Sequence, residues 1–179
     1  PYRSALDVWL EKTGRRQDDA DKLVLRFGHY AEEFIAREYV LATHSCVSVP
    51  ESVYMHPDHT YLCGHLDRLV QCQDGTIKIL ECKTANPFRQ SDWGLLGSDE
   101  VPITYLTQCQ WYLMLTGFDA LDLAVLFGNS DFRIYQIFRD PQLGELLLER
   151  ALHFWHTYVL KDQAPPPQTL EDHQRLFSH

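Results

Sequence analysis

The stretch from Gly64 to Lys83 constrains the fold more than any other part of the chain. It runs Gly64-His65-Leu66-Asp67-Arg68-Leu69-Val70, turns at Asp74-Gly75, and continues as Ile77-Lys78-Ile79-Leu80-Glu81-Cys82-Lys83. Alternating polarity and β-branched residues on both sides of an Asp-Gly pair predict a β-hairpin, with arms at Leu66–Val70 and Ile77–Lys83. Side chains two apart on a strand share a face. Glu81 and Lys83 therefore project together while Asp67 sits near the neighbouring arm, so two carboxylates and an ammonium meet in one small volume.

That grouping suits metal-assisted phosphodiester hydrolysis. Paired carboxylates hold Mg²⁺, a hard cation that prefers oxygen ligands, and the ion polarises phosphate and acidifies a bound water. A surface hairpin carrying a cross-strand ion pair is the competing reading of the same residues.

At 179 residues with 45% hydrophobic content, the chain is sized for one domain with a substantial core. No apolar run is long enough to cross a bilayer and the first residues lack a signal-peptide pattern. Five cysteines without a regular framework point to reduced thiols in a cytoplasmic or nucleic-acid-processing compartment. The net charge of −9 argues against nucleic acid as a partner, because sequence-independent affinity comes from Lys and Arg on phosphates. A local basic lining can still coexist with an acidic exterior. Arg3, Lys12, Arg15, Arg16, Arg68, Lys78, Lys83 and Arg89, all in the first half, are the candidates for one.

Ser4 reads as the cap of a first helix ending near Gly14. Asp18 to Thr43 reads as a long helix with Leu23, Leu25, Phe27, Tyr30, Phe34, Ile35 and Tyr39 as its apolar stripe. Glu32 and Glu33 lie side by side on it and face different ways. Ser45 to Tyr61 reads as a strand, a turn and a return into the hairpin. Thr84 to Pro102 is expected as a long loop, in which Trp93 serves either as a base-stacking residue or as a packing anchor. Ile103 to Thr116 returns to helix, closed by Gly117, with Gln108 and Tyr112 on one face and Gln110 on another. A second hairpin, Leu121–Phe127 and Phe132–Phe138, precedes a final helix over Pro141–Tyr158. A polar tail without assigned chemistry follows over 164–179. The order α-β-β-β-α-β-β-α implies an α+β domain with a mixed sheet flanked by helices.

The hairpin with Gly28-x-x-x-Glu32 upstream and Gln108-x-Gln110-x-Tyr112 downstream resembles the PD-(D/E)XK nuclease superfamily, specifically YqaJ-type viral recombinases related to lambda exonuclease. Pro1-Tyr2-Arg3-Ser4, Trp9-Leu10-Glu11-Lys12-Thr13-Gly14, Trp93-Gly94, Pro102 with Tyr105, and Phe154-Trp155 extend the likeness over almost the whole chain. It implies a restriction-endonuclease-like core in a single nuclease domain, preceded by a short segment before Pro1. It also implies a Mg²⁺-dependent enzyme, with Mn²⁺ as a substitute, that degrades linear double-stranded DNA from its 5′ ends.

In this resemblance Asp67, Glu81 and the Cys82 backbone carbonyl ligate metal, with Glu32 beside them. Lys83 positions the attacking water, and Gln108 and Tyr112 hold the substrate. Arg3, Lys12, Arg15, Trp93 and Tyr105 contact DNA, with Arg3 and the first helix's N-terminus forming an anion site for a 5′-phosphate. A single-strand annealing protein and a ring of three copies are the implied partners. A structure-specific or restriction-like endonuclease on the same fold, and a non-catalytic DNA-binding subunit, are the alternatives.

Overall fold

The computed structural model describes residues 3–15 and 23–177. They group into two compact units, one drawn from Pro1–Asp21 and Leu146–His179, the other from Lys22–Glu145.

The larger unit is built on a five-stranded sheet in the order β1-β4-β5-β6-β7. Its strands are β1 (Cys46–Ser48), β4 (Arg68–Gln71), β5 (Ile77–Ala85), β6 (Ala120–Phe127) and β7 (Asp131–Phe138), with a separate pair of short strands, β2 (Tyr54–Met55) and β3 (Cys63–Gly64). The predicted hairpin is β4 and β5, antiparallel with Arg68 opposite Leu80 and Val70 opposite Lys78. Asp74 holds its turn by accepting from the Thr76 N–H at 2.9 Å, and Gly75 takes the positive φ of 84° that the turn needs. β5 and β6 are parallel, with Glu81 opposite Leu123 and Lys83 opposite Val125. The connection between them crosses through a helix, α3 (Ile103–Thr116), as a parallel pair requires. The second hairpin, β6 and β7, is antiparallel as expected.

The two sheet faces have separate cores. On one, Ile79, Leu121, Leu123 and Tyr135 pack with Leu113 and Tyr112 of α3. On the other, Val70, Leu80, Cys82 and Ala124 receive Ala31, Ile35, Ala36 and Tyr39 of the long helix α2 (Leu23–Thr43). The expected apolar stripe of α2 is therefore correct at only two of its seven residues. Ile35 and Tyr39 are buried, whereas Leu23, Phe27, Tyr30 and Phe34 are at least half exposed. The small side chains Ala31 and Ala36 let the helix approach the sheet, and the bulkier residues three and four apart fall on the opposite face.

The segment after β5 is not the structureless loop expected. Thr84 and Ala85 extend the strand, and a 3-10 turn occupies Pro87–Asp92, with the Asn86 side chain accepting from the Phe88 N–H at 2.9 Å.

In the smaller unit, α1 (Ala5–Lys12) carries a capping box between Ser4 and Asp7. The helix α4 (Pro141–Phe154) ends in a π turn over Trp155–Val159, and the Trp9 indole N–H donates to the Tyr158 carbonyl at 3.1 Å. The tail contains a further helix, α5 (Leu170–Phe177), which the polar composition hid. Thr169 and Asp172 form its capping pair: the Asp172 N–H donates to Thr169 Oγ1, and Asp172 Oδ2 accepts from the Thr169 N–H, both at 3.0 Å. Asp172 is also buried and accepts from Ser4 Oγ at 2.7 Å.

No helix among the described residues is long and apolar enough to cross a membrane.

Candidate active site

Asp67 immediately precedes β4, and its Oδ2 accepts the Cys82 N–H at 2.8 Å. A side chain thus continues the hairpin's ladder by one more bond and fixes the carboxylate against the middle of β5. From the face of β5 turned toward α3, Lys83 Nζ reaches Glu81 Oε1 at 2.6 Å. The same oxygen accepts from Gln108 Nε2 at 2.8 Å, and that amide also donates to the Tyr112 hydroxyl at 2.9 Å. Gln108 and Tyr112 meet because they are four apart on α3. Gln110 points elsewhere as expected, donating to the Phe138 carbonyl and accepting from the Asp140 N–H.

Glu81 is 1% exposed, and its Oε2 has no hydrogen-bond partner among the described residues. Burial pushes its carboxyl up to about 8 against the attraction of Lys83, and the Asp67 and Glu32 charges raise it further. Burial alone would lower the Lys83 ammonium, but the charge and hydrogen bond of Glu81 outweigh it and raise that group above its ordinary value. The pair therefore releases its first proton from Glu81, while Lys83 remains a cation. Asp67 is also shifted upward, by burial first, with the Cys82 N–H opposing. The Tyr112 phenol is pushed up to about 12 by burial and the nearby Glu81 charge, which keeps it a donor.

A cleft of about 240 Å³ opens beside these groups, lined by Gly28, His29, Glu32, Asp67, Cys82 and Lys83. Glu32 enters it from α2 and is paired with Arg68 Nη1. Arg68, 9% exposed, also donates from Nη2 to Glu33 Oε2 at 3.0 Å and from Nη1 to the Asp67 carbonyl at 2.6 Å. Glu33, expected as a solvated neighbour, is thus drawn to the same guanidinium as Glu32. Among the described residues no three Asp, Glu, His or Cys side chains form a ready cage for an ion.

The structure therefore brings Glu32, Asp67, Glu81, Cys82, Lys83, Gln108 and Tyr112 into one neighbourhood. It places Trp93 differently: the indole is buried, stacked on Tyr105 with centroids 5.1 Å apart and edge-on to Phe127 at 5.3 Å. Of its two expected roles the packing anchor is the one realised, because Tyr105, Phe127 and Tyr135 enclose a ring that base stacking needs open. Tyr105 is half-buried against it.

The expected basic lining does not form as a set of open cations. Arg3 is paired with Glu11, Lys12 lies 3.5 Å from the same carboxylate, and Arg15 forks onto Asp162 while covering the Trp9 ring at 4.6 Å. Arg89 is held by Asp92 and Lys78 by Asp122. Arg16 lies outside the described residues. At the first helix's N-terminus, Asp7 takes the Ser4 N–H at 3.0 Å and Ser4 Oγ takes the Asp7 N–H at 3.2 Å, so part of the expected anion site is engaged by the chain's own side chains.

Sequence reasoning missed the Arg68 fork and the close fit of Gly64 under α3. The only signal for Arg68 was strand alternation, which turns it to the face opposite Asp67 and toward α2.

The family model of the YqaJ-like viral recombinase domain matches residues 1–119. YqaJ of Bacillus subtilis (strain 168) is 28% identical over 167 residues, covering 92% of this chain and 50% of that protein. The chain thus spans about half the length of this relative. Among solved structures, LHK-Exo in complex with dAMP aligns over 97% of this chain and 83% of its own, with a TM-score of 0.69 at 17% identity. The alkaline exonuclease LHK-Exo from Laribacter hongkongensis aligns over 82% and 73%, with a TM-score of 0.64 at 19% identity. The α+β core with a mixed central sheet is thus shared with these LHK-Exo structures.

Proposed function

Because the chain belongs to the YqaJ-like viral recombinase family, we propose that it is a metal-dependent exonuclease acting on the ends of linear double-stranded DNA, cutting 5′ to 3′ in phage-type recombination. Glu81 carries this reading. One of its oxygens receives both Lys83 and Gln108, and the other is buried without a donor among the described residues. An orphaned, buried carboxylate oxygen is costly, and a cation is the partner that relieves it.

The residues present fit Mg²⁺, with Mn²⁺ as a substitute. Asp67, Glu81 and the Cys82 carbonyl are hard oxygen donors, with Glu32 at the edge of the cleft. Mg²⁺ takes one or two protein carboxylates and keeps several waters, so it does not need a preformed cage. When bound, it polarises the phosphate and lowers the pKa of a coordinated water.

The chain's own groups supply the rest. Lys83, held as an ammonium by Glu81, orients the attacking water and offsets charge developing on the phosphate; its retained proton disqualifies it as the general base. Gln108 spends both amide hydrogens on Glu81 and the Tyr112 oxygen, fixing their spacing. The Tyr112 hydroxyl keeps its own proton to donate to a phosphate oxygen.

Duplex ends are the substrate in this reading, a single-strand annealing protein and further copies of the chain in a ring of three are the partners, and the cytoplasm is the compartment. The test is digestion of one duplex labelled at the 5′ or the 3′ terminus, in Mg²⁺ and in chelator. Early release of the 5′ label only, and only with metal, is expected. Equal activity in chelator overturns the metal, and early release of the 3′ label overturns the polarity.

A further inference from the structure

We propose that Arg68 is the positioning residue of the cation site, its guanidinium setting the placement of Asp67 relative to Glu32. The inference rests on the metal-dependent reading above.

Arg68 is almost fully buried between β4 and α2, and its donors reach three oxygens that matter separately. Nη1 binds the main-chain carbonyl of Asp67 at 2.6 Å, the residue whose side chain is pinned to the Cys82 N–H at 2.8 Å. The same nitrogen pairs with Oε1 of Glu32, and Nη2 reaches Glu33 Oε2 at 3.0 Å. One planar group therefore grips the backbone of one acidic residue, Asp67, and the side chain of another, Glu32, which lies 36 residues before Arg68 in the chain.

The consequence for Glu32 is directional. With Oε1 taken, Oε2 lies 4.0 Å from His29 Nδ1, and both residues line the cleft. Arg68 also places positive charge among Glu32, Glu33 and Asp67, and so limits the repulsion that would drive Glu32 away when no cation is bound. Only an arginine fork does all of this at once: a lysine is a single point charge on a flexible stem and cannot hold the carbonyl and two carboxylates in one plane. Loss of partners of this kind around metal ligands typically costs roughly 10–100-fold in metal affinity.

A staple between β4 and α2 would also explain the contacts, and metal affinity separates the two accounts. The experiment is calorimetric titration of Mn²⁺ into the intact chain and its R68Q, R68K and E33Q variants, each beside a thermal melt. R68Q is expected to bind Mn²⁺ roughly 10–100-fold more weakly than wild type. R68K is expected to lie between them, and E33Q, which leaves the Glu32 and Asp67 contacts in place, close to wild type.

If R68Q does not fold, the ordering of R68K below E33Q decides. Folded R68Q and R68K that bind Mn²⁺ as wild type does, with only a lower melting temperature, would overturn the positioning role and leave the staple. E33Q losing as much affinity as R68Q would also overturn it. Absence of saturable Mn²⁺ binding by wild type would instead bring down the metal reading, and this inference with it.

Discussion

Gly64 lies against the ring of Tyr112, so that a Cβ at position 64 would stand 2.8 Å from Cε1 and 2.9 Å from Cδ1, with Leu115 Cδ1 at 3.0 Å. Both neighbours are buried α3 side chains, and the Tyr112 ring is further held by Gln108. That ring cannot yield cheaply. Gly64→Ala is therefore expected to cost about 1–3 kcal/mol of stability, in the range of overpacked cores. It should also shift Tyr112 and with it Gln108 and Glu81, lowering DNA cleavage by the folded fraction. Urea unfolding and a cleavage assay on the same preparation check this; unchanged values in both would show that the contact is slack.

Trp93 separates packing from DNA contact. Its ring meets Tyr105, Phe127 and Tyr135 at centroid distances of 5.1, 5.3 and 5.2 Å. Trp93→Ala should destabilise the chain by about 3–5 kcal/mol, the usual cost of deleting a large core aromatic. Trp93→Phe should cost less. The DNA affinity of folded Trp93→Phe, measured by anisotropy with Ca²⁺ in place of Mg²⁺, should match wild type. A large loss of affinity with stability intact would return Trp93 to the DNA surface.

The acid group of Glu81 makes a prediction about pH with a definite sign. Its folded value of about 8 lies above the ordinary 4.5, so between those limits the folded chain holds a proton that the unfolded chain has lost. Stability from this group is complete below the ordinary value and is lost as pH rises toward the folded one. In chelator, the melting temperature of wild type relative to Glu81→Gln should fall from pH 5 to pH 8, about the window those two values define. Mg²⁺ should reduce that fall by favouring the ionised carboxylate. A difference that stays flat or rises with pH contradicts the buried, proton-holding state.

Lys83 tests the division between binding and chemistry. Lys83→Ala should abolish cleavage, while the Mg²⁺-induced rise in melting temperature and DNA binding persist, a loss confined to the transition state. Loss of the thermal effect along with activity would instead make Lys83 part of what holds the cation site together.

Local signals made the β4–β5 hairpin legible. The Asp74-Gly75 turn set the register of β4 against β5, and period-two alternation placed Glu81 with Lys83. Gly117, with its positive φ of 71°, marked the end of α3, and the spacing of Gln108 and Tyr112 predicted their contact. What stayed hidden depends on residues far apart in the chain. Arg68 meets Glu32 and Glu33 across separations of 36 and 35 residues, so its neighbours on β4 said nothing of its partners. The apolar pattern of α2 has two sides, and hydrophobicity alone did not mark Ala31 and Ala36 as the buried one. The α5 helix was masked by charged residues and a preceding run of prolines, although its Thr169-x-x-Asp172 capping pair was present.

The most direct test of the central claim is digestion of a linear duplex beside a covalently closed circle of the same sequence, in Mg²⁺ and in chelator. The linear DNA should shorten to mononucleotides and one residual strand in Mg²⁺ alone, and the circle should survive. Linearisation of the circle at a comparable rate would contradict end-dependent action, and digestion of the linear duplex in chelator would contradict the cation role of Asp67 and Glu81.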